Sequence, residues 1–149
     1  MSPAEAWAFL NNPANLKELT PPELGIELVS DLPGTMHDGL LVEYRVRLPL
    51  LGWSRWVSEI KHVEPGRRFV DEQRRGPYRF WYHMHEVEPR PEGGSRLIDR
   101  LTYRLPGGPF GRLAHTLLVR RQLERIFAFR RQALAARWPS SSTPVGRAF

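Results

Sequence analysis

The stretch Phe69–Glu86 (FVDEQRRGPYRFWYHMHE) decides the fold, because it reads as two strands joined by a short turn. Side chains alternate between the two faces of a strand, so Trp81, His83 and His85 share one face. The Gly76–Pro77 pair supplies the residues that a short hairpin turn prefers. An ordinary core needs no indole, imidazole, carboxylate or amide groups on one face. The stretch therefore predicts a polar-lined pocket.

The sequence on both sides of this hairpin continues the pattern. Alternation with a period of two predicts further strands, and Gly- and Pro-rich segments separate them: Gly25–Val29, Leu41–Leu48, Trp53–Val63 and Arg96–Leu105, with Asp31–Gly39 as a loop. Two short helices, Ser2–Asn11 and Pro13–Leu19, come before the strands. A long amphipathic helix, Phe110–Trp138, follows them. Pro139–Phe149 is of low complexity and is predicted to be a disordered tail.

This order of elements predicts one α+β domain over residues 1–138. Six consecutive strands linked by short connections form an antiparallel sheet. The helix must bury its apolar stripe, and the inner face of a curved sheet is the natural partner. A sheet that wraps around the helix and keeps polar groups on its inner face encloses a cavity.

Neighbouring strands must present their inward-facing residues on the same side of the sheet, and this requirement predicts the register around the candidate site. His85 falls opposite Asp99, His83 opposite Leu101, and Trp81 opposite Tyr103. On the other side, Asp71 falls opposite His83 and Gln73 opposite Trp81. Directly opposed side chains are about 5 Å apart at Cβ, so Asp–His contacts are available. We expect these residues, together with cavity residues of the third strand, to bind a ligand: Trp56, Ser58, Ile60, Asp71, Gln73, Trp81, His83, His85, Asp99 and Tyr103.

Three interpretations of the polar groups remain open. His83, His85 and Asp99 match a site of two histidines and one carboxylate for a metal, but the carboxylate is equally well explained as a histidine partner. An Asp–His pair drawn from His83, His85, Asp71 and Asp99 could act as a general base. In the third interpretation the buried groups satisfy one another and offer a few hydrogen bonds to a mainly apolar ligand. The third is favoured, so we expect a binding protein without a metal or cofactor.

Composition narrows the choice of partners. Only 41% of the 149 residues are hydrophobic and no apolar run reaches membrane-spanning length, so no membrane insertion is expected. The net charge is +6, but the arginines are scattered, and we expect no nucleic-acid partner. The arginines of the long helix are expected on its wet face. The absence of cysteine excludes disulfides, and the start MSPAEAW lacks a secretory signal, so the cytoplasm is the predicted location.

Several spaced motifs resemble one group of helix-grip proteins. They are W-x-S-x-I at Trp56–Ile60, F-V-D-E-Q at Phe69–Gln73, the Gly76–Pro77 pair, W-x-H-x-H at Trp81–His85 and D-R-x-x-Y-x-L-P at Asp99–Pro106. The group is the bacterial cyclase/dehydrase-like ligand-binding domains. It belongs to the superfamily of START lipid-transfer domains, polyketide cyclases and plant pathogenesis-related allergens. The resemblance implies the helix-grip fold and a cavity for a hydrophobic ligand, with cyclase or dehydratase activity as the alternative function.

Two departures from the resembled group predict self-association. Its members usually have a strand before the first helix, and this chain starts directly at MSPAEAW, which predicts an open edge along Arg96–Leu105. Phe80, Tyr82 and Met84 form a convex stripe, an apolar row on the outer face of the sheet, where the group carries polar residues. Exposed apolar patches mark contacts, so a homodimer is expected through this stripe or the open edge.

Overall fold

The computed structural model of the protein describes residues 1–31, 35–48, 52–108, 118–139 and 145–148. Within these ranges the strands form one curved sheet in the order of the sequence, and β1 to β6 run antiparallel. The elements in chain order are α1 (Pro3–Leu10), 3₁₀ helices at Pro13–Leu19 and Pro22–Leu24, β1 (Ile26–Leu28), β2 (Leu41–Leu48), β3 (Gly52–Glu64), β4 (Arg68–Arg75), β5 (Phe80–Pro89), β6 (Ser95–Arg104), α2 (Arg120–Arg137) and β7 (Val145–Ala148). The predicted α+β class and its six antiparallel strands are confirmed.

Helix α1 begins at a capping box. The backbone N–H of Glu5 donates to Oγ of Ser2 at 3.2 Å, and the backbone N–H of Ser2 donates to Oε2 of Glu5 at 2.7 Å. These bonds satisfy donors that the first turn of a helix leaves free. The helix buries Ala6, Phe9 and Leu10 in the core that closes one end of the sheet.

The alternation of the strands places the core on one face. In β2, Val42 and Tyr44 are buried while the next residue, Arg45, is exposed. The alternation of β3 breaks at His62, which an unbroken strand would place on the inner face with Ile60. A register shift lies between Lys61 and Glu64, and φ of His62 is 53°, so the strand bulges there. The ring of His62 consequently lies 6.5 Å from that of Tyr82 on the outer face.

Helix α2 lies on the inner face of the sheet. It buries Leu123, Arg130 and Leu134, and the ring of Phe127 lies 5.8 Å from that of His83 in β5. The prediction placed the helix at Phe110–Trp138, and residues 110–117 of that range lie outside the described residues. In the described part of the chain, no helix is both long and apolar enough to cross a bilayer.

Strand β7 changes the expected edge of the sheet. It runs parallel to β6 and pairs with Ile98–Leu101. The prediction of an open edge along Arg96–Leu105 is therefore wrong for these four residues. Residues 139–149 were predicted to be a disordered tail. The backbone of Val145–Ala148 instead forms a strand, whereas 140–144 and 149 lie outside the described residues.

Candidate functional site

The strand register brings the predicted polar groups together. In the β5–β6 ladder, His85 pairs with Asp99, His83 with Leu101 and Trp81 with Tyr103, as predicted. In the β4–β5 ladder, Asp71 pairs with His83, which is also confirmed. The alternation of inward and outward side chains and the length of the turns fix this register. A slip by one residue would turn every buried side chain to the solvent.

A cavity of about 160 Å³ lies between the inner face of the sheet and α2. Apolar side chains form most of its wall, and the polar part includes Thr20, Arg47 and Gln122 as well as the predicted carboxylate and imidazole groups. Its wall includes Leu19, Leu24, Ile26, Tyr44, Val46, Trp56, Asp71, Tyr78, Trp81, His83, His85, Leu123, Ile126, Phe127 and Arg130. A cavity of roughly 150 Å³ can hold a benzene-sized molecule. A second space of about 40 Å³ adjoins it, lined by Ser58, Ile60, Phe69 and, in common with the first, Asp71 and His85.

Aromatic rings close the end of the cavity near the β4–β5 turn. Trp56 and Trp81 meet edge to face with ring centroids 5.0 Å apart, and Tyr78 lies 4.8 Å from Trp81. Trp56 lines the cavity, whereas Trp53, three positions earlier in β3, is 45% exposed. Nε1 of Trp56 donates to Oγ of Ser58 at 3.0 Å. Nε1 of Trp81, in contrast, is buried without a hydrogen-bond partner.

A buried charge pair joins the helix to the sheet behind the cavity. Nε of Arg130 lies 3.0 Å from Oδ2 of Asp99, and each residue is only 5% exposed. Oδ1 of Asp99 lies 2.7 Å from Nδ1 of His85 and 3.2 Å from Nε2 of His83. Nη2 of Arg130 also lies 3.3 Å from Nδ1 of His85. One carboxylate therefore compensates the guanidinium and orients both imidazoles.

The surroundings fix the charge states of Asp99 and His85. Burial by itself would raise the pKa of Asp99, but the charge of Arg130 and the contacts from the imidazoles of His83 and His85 outweigh it and hold this pKa well below its usual range. Burial lowers the pKa of His85 to about 3, helped by His83 and Arg130 and opposed by Asp99. His85 is thus neutral at pH 7. Because ionised Asp99 can only accept, the 2.7 Å contact assigns the proton to Nδ1 and leaves Nε2 as an acceptor.

Asp71 experiences the opposite environment. Burial raises the pKa of its carboxyl, and the hydroxyl of Ser58 and the charge of His83 offset only part of this effect. Its Oδ1 is buried without a hydrogen-bond partner. Two carboxyl groups on one sheet face thus have pKa values that are displaced in opposite directions. Such pairs are characteristic of sites that bind or transform a ligand.

Not every predicted residue reaches the cavity. Gln73 does not pair with Trp81. Its side chain instead bridges the backbone of Tyr78, donating to the carbonyl at 2.7 Å and accepting from the N–H at 3.2 Å. Tyr103 packs against the rings of Tyr78 and Trp81 outside the cavity wall. Gln73 and Tyr103 therefore support the aromatic end without lining the cavity.

Several residues of the cavity wall were not predicted as site residues. Among the polar and aromatic ones are Tyr44, Tyr78 and Arg130. Arg130 was grouped with the wet arginines of the helix, although it is buried. Its spacing is the signal that could have found it, because it lies three and four positions from Phe127, Ile126 and Leu134 on the apolar stripe.

A family model described as "Polyketide cyclase / dehydrase and lipid transport" matches residues 1–138 of the sequence. This match covers the described antiparallel strands, the helix α2 and all the cavity residues. The chain belongs to the polyketide cyclase/dehydrase and lipid transport family. None of the curated proteins compared with the chain matches it.

Solved structures of bacterial proteins share the fold of this polyketide cyclase/dehydrase family member. Protein Ms6760 from Mycobacterium smegmatis has a TM-score of 0.59 at 15% identity, covering 91% of this chain and 85% of its own. TTHA0849 from Thermus thermophilus has a TM-score of 0.57 at 20% identity, covering 91% of both chains. DR_A0006 from Deinococcus radiodurans has a TM-score of 0.51 at 21% identity, covering 86% of this chain and 91% of its own. At these identities the likeness shows the fold.

The family member also carries a group that could hold a metal ion. Ligand atoms from Asp71, His83 and His85 all lie within 4.8 Å of one another. This set differs from the predicted one, since Asp71 replaces Asp99, whose oxygens already contact Arg130 and the histidines. The guanidinium of Arg130 lies 3.3 Å from a ring nitrogen of His85 and opposes a second positive charge there.

Proposed function

We propose that this protein binds a small hydrophobic or amphipathic molecule in the cavity between the sheet and α2. The observation that supports this most directly is the cavity of about 160 Å³, whose wall is mainly apolar and includes the clustered polar groups of Asp71, His83 and His85. Such a wall provides affinity by burial of apolar surface and orients the ligand by a few hydrogen bonds. The proposal includes a cytoplasmic location and no nucleic-acid partner.

Native mass spectrometry of the protein purified from cells tests this proposal. We expect a co-purified molecule that dissociates on denaturation. Ile126→Trp adds volume at the cavity wall, whereas Ala135→Trp adds the same ring at an exposed position of α2. Loss of the bound molecule in the first variant and its retention in the second are expected. Equal retention in both variants would place the molecule elsewhere and refute the proposal.

An enzyme of the cyclase or dehydratase type is the second candidate. The supporting observation is the orientation of His85, which lines the cavity and whose Nδ1 lies 2.7 Å from Asp99, so that Nε2 is left as an acceptor. A neutral imidazole held in this way can remove a proton from carbon next to a carbonyl. Cyclohexanone in deuterated buffer provides a probe of suitable size. Deuterium incorporation that exceeds the buffer rate and disappears in His85→Phe supports catalysis, and incorporation at the buffer rate excludes this base role for cyclohexanone.

A further inference from the structure

Buried polar atoms without hydrogen-bond partners concentrate at the cavity. In the part of the chain that the structure describes there are five such side-chain atoms, and Nε of Arg90 lies apart from the site. The other four belong to Asp71, Trp81, His83 and Arg130, which all line the cavity. Proteins rarely leave buried polar atoms unpaired, because each costs about 1–3 kcal/mol. Their concentration at one wall requires an explanation specific to this site.

Two of the four atoms have an electrostatic partner inside the protein. Nε of Arg130 and Nε2 of His83 lie 3.0 and 3.2 Å from oxygens of Asp99, although neither contact has hydrogen-bond geometry. Oδ1 of Asp71 and Nε1 of Trp81 have no hydrogen-bond partner among the described residues, and the hydroxyl of Ser58 and the charge of His83 compensate the Asp71 carboxyl only in part. One is a carboxyl oxygen and the other an obligate donor. They are buried groups of the cavity wall that a ligand can satisfy.

We propose that the ligand is a neutral, ring-sized apolar molecule whose hydroxyl groups meet Asp71 and Trp81. This inference deepens the proposed function and rests on it. A hydroxyl donates to a carboxyl oxygen and also accepts from an indole N–H, so it suits both atoms. A ligand carboxylate would instead face the carboxyl of Asp71 in a poorly solvated site. Asp71 and Trp81 thereby become residues that determine specificity.

Calorimetric titration with p-cresol and p-xylene tests the inference, because these molecules differ only by a hydroxyl in place of a methyl group. We expect the wild type to bind p-cresol at least about 10-fold more tightly, since one buried hydrogen bond of this size contributes about 1.4 kcal/mol. Trp81→Phe removes the N–H and keeps an aromatic ring, and Asp71→Leu removes the carboxyl. Both variants should lose most of the preference while still binding p-xylene.

Glu72→Leu is the matched control, because Glu72 neighbours Asp71 but pairs with Lys61 on the outer face. It should retain the wild-type preference. Failure of the wild type to bind either probe would count against the cavity function itself. Binding of both probes with equal affinity would leave that function standing and overturn the hydroxyl inference, because water would then satisfy the two atoms equally well.

A second measurement does not depend on the folding of Asp71→Leu. The indole N–H resonance of Trp81, assigned from its disappearance in Trp81→Phe, should shift downfield with p-cresol and move less with p-xylene. An identical response to the two probes would exclude a hydrogen bond from this group.

Discussion

Nε of Arg130 in α2 lies 3.0 Å from Oδ2 of Asp99 in β6, and both side chains are almost completely buried. Within the described residues, this contact is the principal polar connection between the helix and the sheet. Each charge compensates the other, because a single unpaired charge would be strongly destabilising in this poorly solvated interior. The orientation of both histidines depends on the same carboxylate.

Removal of one partner of this pair should destabilise the fold strongly. Arg130→Met leaves Asp99 as an uncompensated buried charge, and we expect the free energy of unfolding to fall by about 3–5 kcal/mol in urea titrations. Arg131→Met alters the adjacent, exposed arginine and should change it by less than about 0.5 kcal/mol. Adding Asp99→Leu to Arg130→Met should recover part of the loss, and a fully additive double variant would contradict the coupling.

The lowered pKa of His85 predicts acid sensitivity. The unfolded histidine binds a proton below pH 6.5, whereas the folded one does so only near pH 3, so the unfolded state holds more protons between these values. Stability should therefore fall as the pH is lowered through this window. Asp99, whose pKa is also lowered, adds to the loss below its ordinary pKa of 3.8, whereas the raised pKa of Asp71 opposes it.

Urea titrations of the wild type and His85→Phe at pH 6.5 and pH 4.5 measure this effect. The dependence on pH should be smaller in the variant than in the wild type. Replacement of the exposed His37 by Phe controls for the loss of one histidine. Equal slopes in wild type and His85→Phe would show that His85 titrates alike in both states.

The β4–β5 turn predicts a compensating pair of substitutions. A Cβ atom at Gly76 would overlap Oε1 of Gln73, which binds the backbone of Tyr78. Gly76→Ala should therefore cost about 1–3 kcal/mol of unfolding free energy. In a Gln73→Ala background the same substitution should cost at least about 1 kcal/mol less, because the overlapping atoms are gone. If Gly76→Ala lowered the unfolding free energy equally in both backgrounds, the destabilisation would come from the backbone at residue 76 and not from the overlap with Gln73.

The convex stripe predicts self-association. Phe80 is 43% exposed, and its ring stacks on Tyr82 with an angle of 4° between the planes. Because β7 occupies part of the edge of β6, we assign the contact to this face. Sedimentation at high concentration should show a dimer for the wild type and a monomer for the variant with Phe80→Arg and Met84→Arg. As a control, the Gln132→Arg variant, altered on the exposed side of α2, should remain dimeric. A monomeric wild type would refute self-association.

The group of Asp71, His83 and His85 should remain free of metal. A divalent cation there would lie close to the guanidinium of Arg130, and Asp99 is already compensated by that residue. After dialysis against zinc and removal of free ions, elemental analysis should find well below one zinc ion per chain. Stoichiometric zinc that disappears in Asp71→Leu would overturn this prediction.

The strand register could be predicted because parity and turn length are local properties of the sequence. The pairs of His85 with Asp99 and of Asp71 with His83 follow from them directly. The bulge at His62 could not be predicted, since it depends on how β3 fits β4. The burial of Arg130 follows from its spacing along the apolar stripe of α2, but its contact with Asp99 depends on how the helix docks on the sheet and could not be predicted.

The site is assembled from parts that are far apart in the sequence. Asp71, His83, His85 and Asp99 come from three consecutive strands joined by short turns, whereas Arg130 arrives on a helix 31 positions after Asp99. We expect the hairpins to form first, because contacts between nearby residues lose less chain entropy on closure. Until the helix docks, Asp99 keeps its hydration. Docking is then the step at which the polar groups lose their water, so a ligand that fills the cavity should slow amide hydrogen exchange in α2 more than in β5.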